Sequence, residues 1–260
     1  IVYLSHRLEE IMRIGDNVTI LRDGKYVARA EVKDIDVPWI VQQMVGEGKS
    51  YPKKERQIDW GKQEKVLEVK DLTLPKSGGG YLLDHVSFDL KRGEILGIYG
   101  LMGAGRTEVF ECIMGLRPEH TGEIYKDGKL LQVKNLREQI DHGFAIVPED
   151  RQAEGLVQTL SIGKNISLSS LERYTKAGFI QKKDEEAKVD RQIKDIMIKV
   201  ADKNLPILSL SGGNQQKVVI GKGILTNPDI LLLDEPSRGI DIEAKTEVFD
   251  IINQYAERGV

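Results

Sequence analysis

The sequence has few of the features that mark disulfide-rich, membrane-spanning or nucleic-acid-binding proteins. Cys112 is the only cysteine among 260 residues, which excludes an internal disulfide and favours a reducing compartment. No stretch approaches the roughly 18 consecutive apolar residues that are needed to cross a bilayer. The formal net charge of -3 provides no general attraction to nucleic acid or to anionic lipid. Any role at a membrane therefore requires a partner protein.

The composition is that of a globular protein, with 40% hydrophobic and 30% charged residues. The chain begins at Ile1 without a methionine and stops at Val260, within what we expect to be a helix-to-strand connection. We therefore expect it to be a fragment of a longer protein.

The first part of the chain has the pattern of a short α/β unit. We predict a buried strand at 1–4, a helix at 7–14, a hairpin of strands at 17–21 and 25–32, and a closing helix at 37–45. The sequence then becomes polar and lysine-rich, which predicts a linker. We place the first unit at 1–50, the linker at 51–65 and a second unit at 66–260.

Strands and helices alternate in the second unit. Strands are predicted at 66–69, 82–90, 94–99, 122–125, 143–147 and 230–233, and helices at 106–114, 185–200, 215–225 and 244–258. This order predicts an α/β core with a largely parallel sheet.

A glycine-rich loop follows the predicted strand at 94–99. Its residues are Gly100, Leu101, Met102, Gly103, Ala104, Gly105, Arg106 and Thr107. The spacing is that of the GxxxxGK[ST] phosphate loop, in which glycines let backbone N–H groups surround phosphate oxygens. The helix that follows directs its positive end at the same anion, and Thr107 is placed to coordinate Mg²⁺. Arg106 stands where the motif has lysine, and its planar guanidinium does not replace a point charge. A glycine-rich turn that binds nothing is the structural alternative.

Two further motifs make that alternative weak. The octet LSGGNQQK at 210–217 places Ser211 and two glycines at a predicted helix start, where N–H donors are unpaired. A simple serine cap would explain the helix start, but not an octet followed by an apolar strand that ends in two acids. That strand leads into Asp234 and Glu235. Asp234 is suited to hold hydrated Mg²⁺, and Glu235 to polarise an attacking water.

In combination these motifs resemble those of the ABC ATPase family. The resemblance implies a P-loop NTPase fold of the RecA-like type, with an antiparallel β subdomain and a helical subdomain at roughly 152–215. The segment at 239–241 resembles the family's D-loop, and Glu149 stands where its Q-loop has glutamine. The cofactors implied are ATP and Mg²⁺.

More narrowly, the chain resembles the tandem ATPases of ribose, galactose and xylose importers. The matching segments are GLMGAGRTE at 100–108, PEDR at 148–151, LSGGNQQK at 210–217 and DEPSRGID at 234–241, with YLSHRLEE at 3–10 resembling a switch-histidine segment. The chain would then hold the end of a first ATPase domain and most of a second. The resemblance implies an ATPase that energises monosaccharide import from the cytoplasmic face of the bacterial membrane. Its partners would be permease subunits and, indirectly, an extracytoplasmic sugar-binding protein, with no nucleic acid.

The family's ATP sandwich assigns the site residues. Glu235 and His6 are the implied catalytic residues, and Thr107 and Asp234 the implied metal-binding residues. Those implied to bind nucleotide are Gly100, Gly103, Ala104, Gly105, Arg106, Thr107, Glu108, Glu149, Ser211, Gly212, Gly213, Asn214 and Asp241. Arg106 and Glu149 depart from the family's pattern and imply a degenerate second site, while the signature completes a competent site in the other half. The fragment alone is then expected to be weak or inactive, and Tyr81 is the candidate for stacking on adenine.

Three other readings stay open: a nucleoside importer ATPase, a soluble tandem ABC protein acting on ribosomes or DNA, and a non-catalytic scaffold half. The soluble factors favour long charged linkers or zinc-binding cysteines, which this sequence lacks. A structural hypothesis concerns the order of the parts. Residues 1–50 hold elements that the second unit lacks, so we predict that residues 1–4 pair beside 230–233 and bring His6 near Glu235.

Overall fold

The fold is given by a computed structural model that describes residues 1–5, 8–22, 24–45, 58–132 and 135–260. The helices are α1 Leu8–Ile14, α2 Val37–Val45, α3 Arg106–Ile113, α4 Leu136–Asp141, α5 Ile162–Ser167, α6 Lys182–Asp195, α7 Gly212–Ile224 and α8 Ile242–Glu257. The strands are β1 Asn17–Arg22, β2 Lys25–Glu31, β3 Lys65–Pro75, β4 Tyr81–Lys91, β5 Thr121–Lys126, β6 Lys129–Leu130, β7 Phe144–Val147, β8 Thr175–Lys176, β9 Phe179–Ile180 and β10 Ile230–Leu233. Most predicted elements of both units are confirmed within a few residues, and β10 and α2 have the predicted bounds.

Two strands form the described parallel sheet at the centre of the molecule. β10 pairs with β7, with Ile230 opposite Phe144 and Leu233 opposite Val147. Alternate residues of β10 face different cores: Ile230 lies in one apolar cluster, while Leu231 packs against the other. A strand that is buried on both faces is apolar throughout, which explains the uninterrupted Ile-Leu-Leu-Leu run.

An antiparallel sheet covers one side of this centre. Its strand order is β4-β3-β5-β6, and its apolar face packs with α3. Cys112 of α3 is fully buried there, and this burial raises the pKa of its thiol to about 12. The thiol is therefore protonated and unreactive at neutral pH. The second cluster joins α5, α6, α7 and α8.

Two predicted strands are wrong. Residues 94–99 belong to no strand among the described residues, and Ile95 and Tyr99 are 51% and 95% exposed. A cleft of about 1020 Å³ separates this segment from β10, with Ile98 and Leu232 on its walls. An apolar run becomes a strand only when a neighbour accepts its backbone hydrogen bonds, and here the cleft lies where that neighbour would be.

The predicted strand at 1–4 is also irregular and exposed. Tyr3 Oη and Ser5 Oγ donate hydrogen bonds to Glu10, so the segment folds back on α1. Among the described residues β10 pairs with β7 alone, so the predicted pairing of residues 1–4 with β10 is wrong. His6, the turn residue Asp23 and residues 51–57 of the predicted linker lie outside the described residues. α2 contacts α8, so the first unit packs against the second.

Candidate functional site

The carboxyl ends of β7 and β10 lie at the same edge of the parallel sheet. Asp234 N donates to Val147 O at 2.9 Å, which continues the ladder one residue beyond β10. Asp234 is buried and Glu235 is exposed. Glu235 has a φ of 40°, which is rare for a residue with a side chain. Such backbone strain is concentrated at functional sites.

The glycine loop packs against β4. Gly105 has a φ of 87°, and a Cβ at this position would lie 2.7 Å from Leu82 O and 2.6 Å from a methyl group of Leu83. Only glycine fits so close to a neighbouring backbone. The close contact fixes the loop at the start of α3. Tyr81, which is 56% exposed, is the first residue of β4 and directly precedes Leu82.

Two contacts join this loop to the acids after β10. Thr107 Oγ1 donates a hydrogen bond to Asp234 Oδ2 at 2.6 Å. Arg106 Nη2 lies 2.9 Å from Glu235 Oε1, and the two side chains are 27% and 39% exposed. The structure thus brings together four residues that the sequence predicted for one site. The two oxygens of Thr107 and Asp234 form a hard-donor pair suited to a magnesium ion that keeps several waters.

The remaining nucleotide-binding candidates of the loop share its conformation. Gly103 has a φ of 76°, Ala104 N donates to Leu101 O at 3.1 Å, and Glu108 lies in the first turn of α3. Gly100 lies so close to Ala104 that a Cβ would come within 3.0 Å of the alanine methyl group. The loop is therefore compact, and its N–H groups precede a helix N-terminus, a geometry that binds phosphate.

The signature segment begins α7. Ser211 caps this helix, and its Oγ accepts hydrogen bonds from Asn214 N and from Asn214 Nδ2 at 3.1 Å. Asn214 Oδ1 in turn accepts from Lys199 N at 2.9 Å. Gly213 packs against α8 so closely that a Cβ would lie 2.3 Å from Ala244 Cβ. The glycines therefore serve helix packing, while the exposed Ser211 leaves the helix N-terminus open to an anion.

Two other predicted residues contact different partners. The Glu149 carboxylate forms an ion pair with the Arg238 guanidinium. Asp241 caps α8, because its Oδ1 accepts a hydrogen bond from Ala244 N at 2.8 Å. Sequence reasoning gave no role to Arg238 or to Arg151, although both stand in motifs that carried the resemblance. Arg151 donates to the carbonyl oxygens of Arg238 and Gly239 at 2.8 and 3.3 Å.

Comparison with known structures gives the same fold. One neighbour is a nucleotide-free ATP-binding cassette from an ABC transporter, with a TM-score of 0.66, 20% identity, and 75% of this chain and 79% of that chain covered. Another is a dimeric post-hydrolysis cassette bound to ADP and Pi, with a TM-score of 0.65, 22% identity, and 74% and 84% covered. The fold and the site therefore define an ATP-binding cassette.

The sequence comparisons agree. A family model described as ABC transporter matches residues 83–238, so the chain belongs to the ABC transporter family. The ribose import ATP-binding protein RbsA of Geobacillus kaustophilus is 44% identical over 100% of this chain and 51% of its own length. The xylose import ATP-binding protein XylG of Pseudomonas savastanoi pv. phaseolicola is 41% identical over 100% and 50%. The chain spans about half the length of these curated relatives. Among the described residues, no helix is long and apolar enough to span a membrane.

Proposed function

We propose that the chain is part of an ATP-hydrolysing subunit that energises the import of a monosaccharide across a bacterial cytoplasmic membrane. The observation that carries the proposal is the contact of Thr107 with Asp234, since it joins a phosphate-binding loop to an acid-ended strand. The functions for which the relatives are named, ribose and xylose import, support the choice of a sugar. The subunit would act at the cytoplasmic face of the membrane with permease subunits and, indirectly, an extracytoplasmic sugar-binding protein.

Each residue of the site then has a chemical task. The backbone N–H groups of residues 100–107 and the N-terminus of α3 bind the phosphates of ATP. Thr107 and Asp234 would hold Mg²⁺, which neutralises charge on the phosphoryl group. Glu235 is placed to accept a proton from water, once its carboxylate is free of Arg106. Tyr81 would stack on adenine, because β4 packs directly against the loop at Gly105.

We further propose that the site of this half is degenerate. Arg106 and Glu235 neutralise each other in an ion pair, so the loop has less positive charge for phosphate and the acid is less available to water. Glu149 is likewise paired with Arg238. The signature at Ser211, Gly212, Gly213 and Asn214 would complete the competent site across an ATP sandwich with another half, whose switch residue would be His6. Residues 1–50 would end that half and residues 66–260 would form most of this one.

Uptake measurements test the import function. Cells with and without the full-length gene are given labelled pentoses and hexoses in turn. Loss of uptake of one sugar is the expected result and identifies the substrate. Unchanged uptake across the panel contradicts sugar import, and a parallel panel of labelled nucleosides tests the related importer class.

Two substitutions in the full-length protein test the asymmetry. Gly213→Asp places a carboxylate at the signature, so we expect it to abolish ATP hydrolysis. Arg106→Ala leaves the competent site unchanged, so we expect it to retain most of the activity. Steady-state ATPase rates decide the matter, with melting temperatures as the control for folding. Equal losses in two folded variants would refute the asymmetric-site model.

A further inference from the structure

The loops that follow β7 and β10 are joined by one arginine. Arg151 begins a helical turn at Arg151–Gly155, and its guanidinium reaches the loop that follows Glu235. Nη1 donates to Arg238 O at 2.8 Å, and Nη2 donates to Gly239 O at 3.3 Å. The two terminal nitrogen atoms of one planar guanidinium thus donate to two successive carbonyl oxygens. A lysine ammonium, which is a single point donor, does not reproduce that geometry.

The same guanidinium lies against the signature. A Cβ on Gly212, the first residue of α7, would lie 3.0 Å from Arg151 Nη2 and 3.5 Å from Gly239 O. Three segments that are distant in sequence therefore meet at Arg151: the turn after β7, the loop after Glu235 and the start of α7. The glycine at 212 allows this approach, since a Cβ there would crowd the guanidinium at 3.0 Å.

Neighbouring contacts hold Arg151 in place on both sides. The ion pair of Glu149 with Arg238 ties the same two loops together. Gln152 Nε2 donates to Gln215 Oε1 and so ties the turn to α7. Asp150 caps the turn, with its Oδ1 accepting from Gln152 N at 2.9 Å. The residues on either side of Arg151 therefore fix the direction of its side chain.

The loop that Arg151 contacts is hydrogen-bonded to Glu235. Arg238 N donates to Glu235 O at 2.9 Å, so Glu235 and Arg238 belong to one hydrogen-bonded turn. A displacement of Glu235 would move the carbonyl oxygens to which Arg151 donates. It would also change the packing of the Arg151 guanidinium against Gly212. The contacts form a continuous path from the acid of this half to the signature.

From these contacts we infer that Arg151 is a positioning residue for ATP hydrolysis, which sets the signature at Gly212 relative to the loop after Glu235. The inference rests on the proposed function, in which the signature completes a site with another half. Among the described residues, Arg151 forms no hydrogen bond or ion pair with Thr107 or with Asp234 and Glu235. Its effect is therefore expected on the hydrolytic step and not on the affinity of this half for ATP.

The test compares three variants of the full-length protein. Arg151→Met removes both hydrogen bonds, and Arg151→Lys keeps the charge but not the fork. Arg191→Met is the matched control, because Arg191 is an exposed arginine on α6 whose described ion pair is with Asp195. We expect Arg151→Met to lower kcat for ATP by about 10- to 100-fold, because a misplacement near 1 Å can cost about 100-fold. The KM for ATP should stay within about twofold, since phosphate binding is unchanged.

The outcomes separate this inference from the proposed function. If the wild type hydrolyses no ATP, the proposed function fails. If the wild type is active and Arg151→Met retains its kcat, or raises KM alone, only the role of Arg151 is overturned. Should Arg151→Met not fold, as judged by its melting temperature, Arg151→Lys decides: a folded lysine variant with reduced kcat supports the inference, and one with wild-type kcat overturns it. Arg191→Met should match the wild type throughout.

Discussion

The contact between Gly213 of α7 and Ala244 of α8 leads to a prediction about stability. A Cβ at residue 213 would lie 2.3 Å from Ala244 Cβ, whereas carbon atoms pack best at about 3.5–4.0 Å. Both residues are buried, so Gly213→Ala forces the two helices apart by more than about 1 Å. Overpacking of this kind costs about 1–3 kcal/mol. The gain of up to about 1 kcal/mol in helix propensity offsets part of that cost.

We therefore expect Gly213→Ala to lower the free energy of unfolding by about 1 kcal/mol. Gly223→Ala is the matched control, because it is the same change in the same helix. A Cβ there would meet Ala145 Cβ at 3.5 Å and Leu231 Cδ1 at 3.6 Å, which are ordinary contacts. Without a clash the propensity gain remains, so we expect Gly223→Ala to stabilise the protein by up to about 1 kcal/mol.

Urea unfolding followed by circular dichroism measures both variants. A second arm combines Gly213→Ala with Ala244→Gly, which removes the methyl group that the new Cβ would strike. The double variant should be more stable than the sum of the two single changes indicates, with a coupling of about 1–3 kcal/mol. A Gly213→Ala variant as stable as Gly223→Ala, or the absence of coupling with Ala244→Gly, would refute the steric argument.

Three further predictions concern other parts of the chain. The hydrogen bond between His85 Nδ1 and Asp71 Oδ1, at 2.6 Å, raises the pKa of His85. The stabilising contribution of this hydrogen bond is therefore present below the unfolded His85 pKa of about 6.5 and is lost as the pH rises through the folded pKa. NMR titration should show that Asp71→Asn lowers the His85 pKa, and an unchanged pKa contradicts this. Lys217 is 1% exposed and its Nζ lies 2.5 Å from Glu247 Oε2, while Glu247 also forms an ion pair with Lys199. Lys217→Met should therefore reduce the free energy of unfolding by about 1–3 kcal/mol, whereas equal urea midpoints would disprove the role of the pair. Tyr81→Ala should weaken binding of a fluorescent ATP analogue by about tenfold, because stacking of an aromatic ring on a base is worth about 1–3 kcal/mol. Tyr81→Phe keeps the ring and should not weaken binding. Equal affinities of the two variants would exclude adenine stacking by Tyr81.

The local elements of this protein are determined by its sequence. Ser211 followed by two glycines predicts the start of α7, and the apolar run at 230–233 predicts β10 together with the acids at its end. The phosphate loop is also recognisable from its glycine spacing. These features depend on backbone preferences and caps that act over a few residues, so neighbouring sequence is sufficient to specify them.

Strand partners were decided only by the tertiary structure. Residues 94–99 are mostly apolar, yet they form no strand among the described residues, because a cleft lies between them and β10. Residues 1–4 have strong strand propensity, yet Tyr3 and Ser5 hydrogen-bond to Glu10 of α1. Propensity describes one segment at a time, whereas a strand also requires hydrogen-bonding groups from another segment.

The same distinction applies to the site. Sequence placed Thr107 and Asp234 in one site because both belong to motifs of known chemistry, and the structure joins them across 127 residues. Neither local segment predicts the ion pair of Glu149 with Arg238, which lie 89 residues apart. The hydrogen bond from Arg151 to the Gly239 carbonyl oxygen is likewise not predicted by either segment. An ion pair depends on where two charged groups meet in space. That meeting follows from the parallel register of β7 and β10, which brings the loops after both strands to one edge of the sheet.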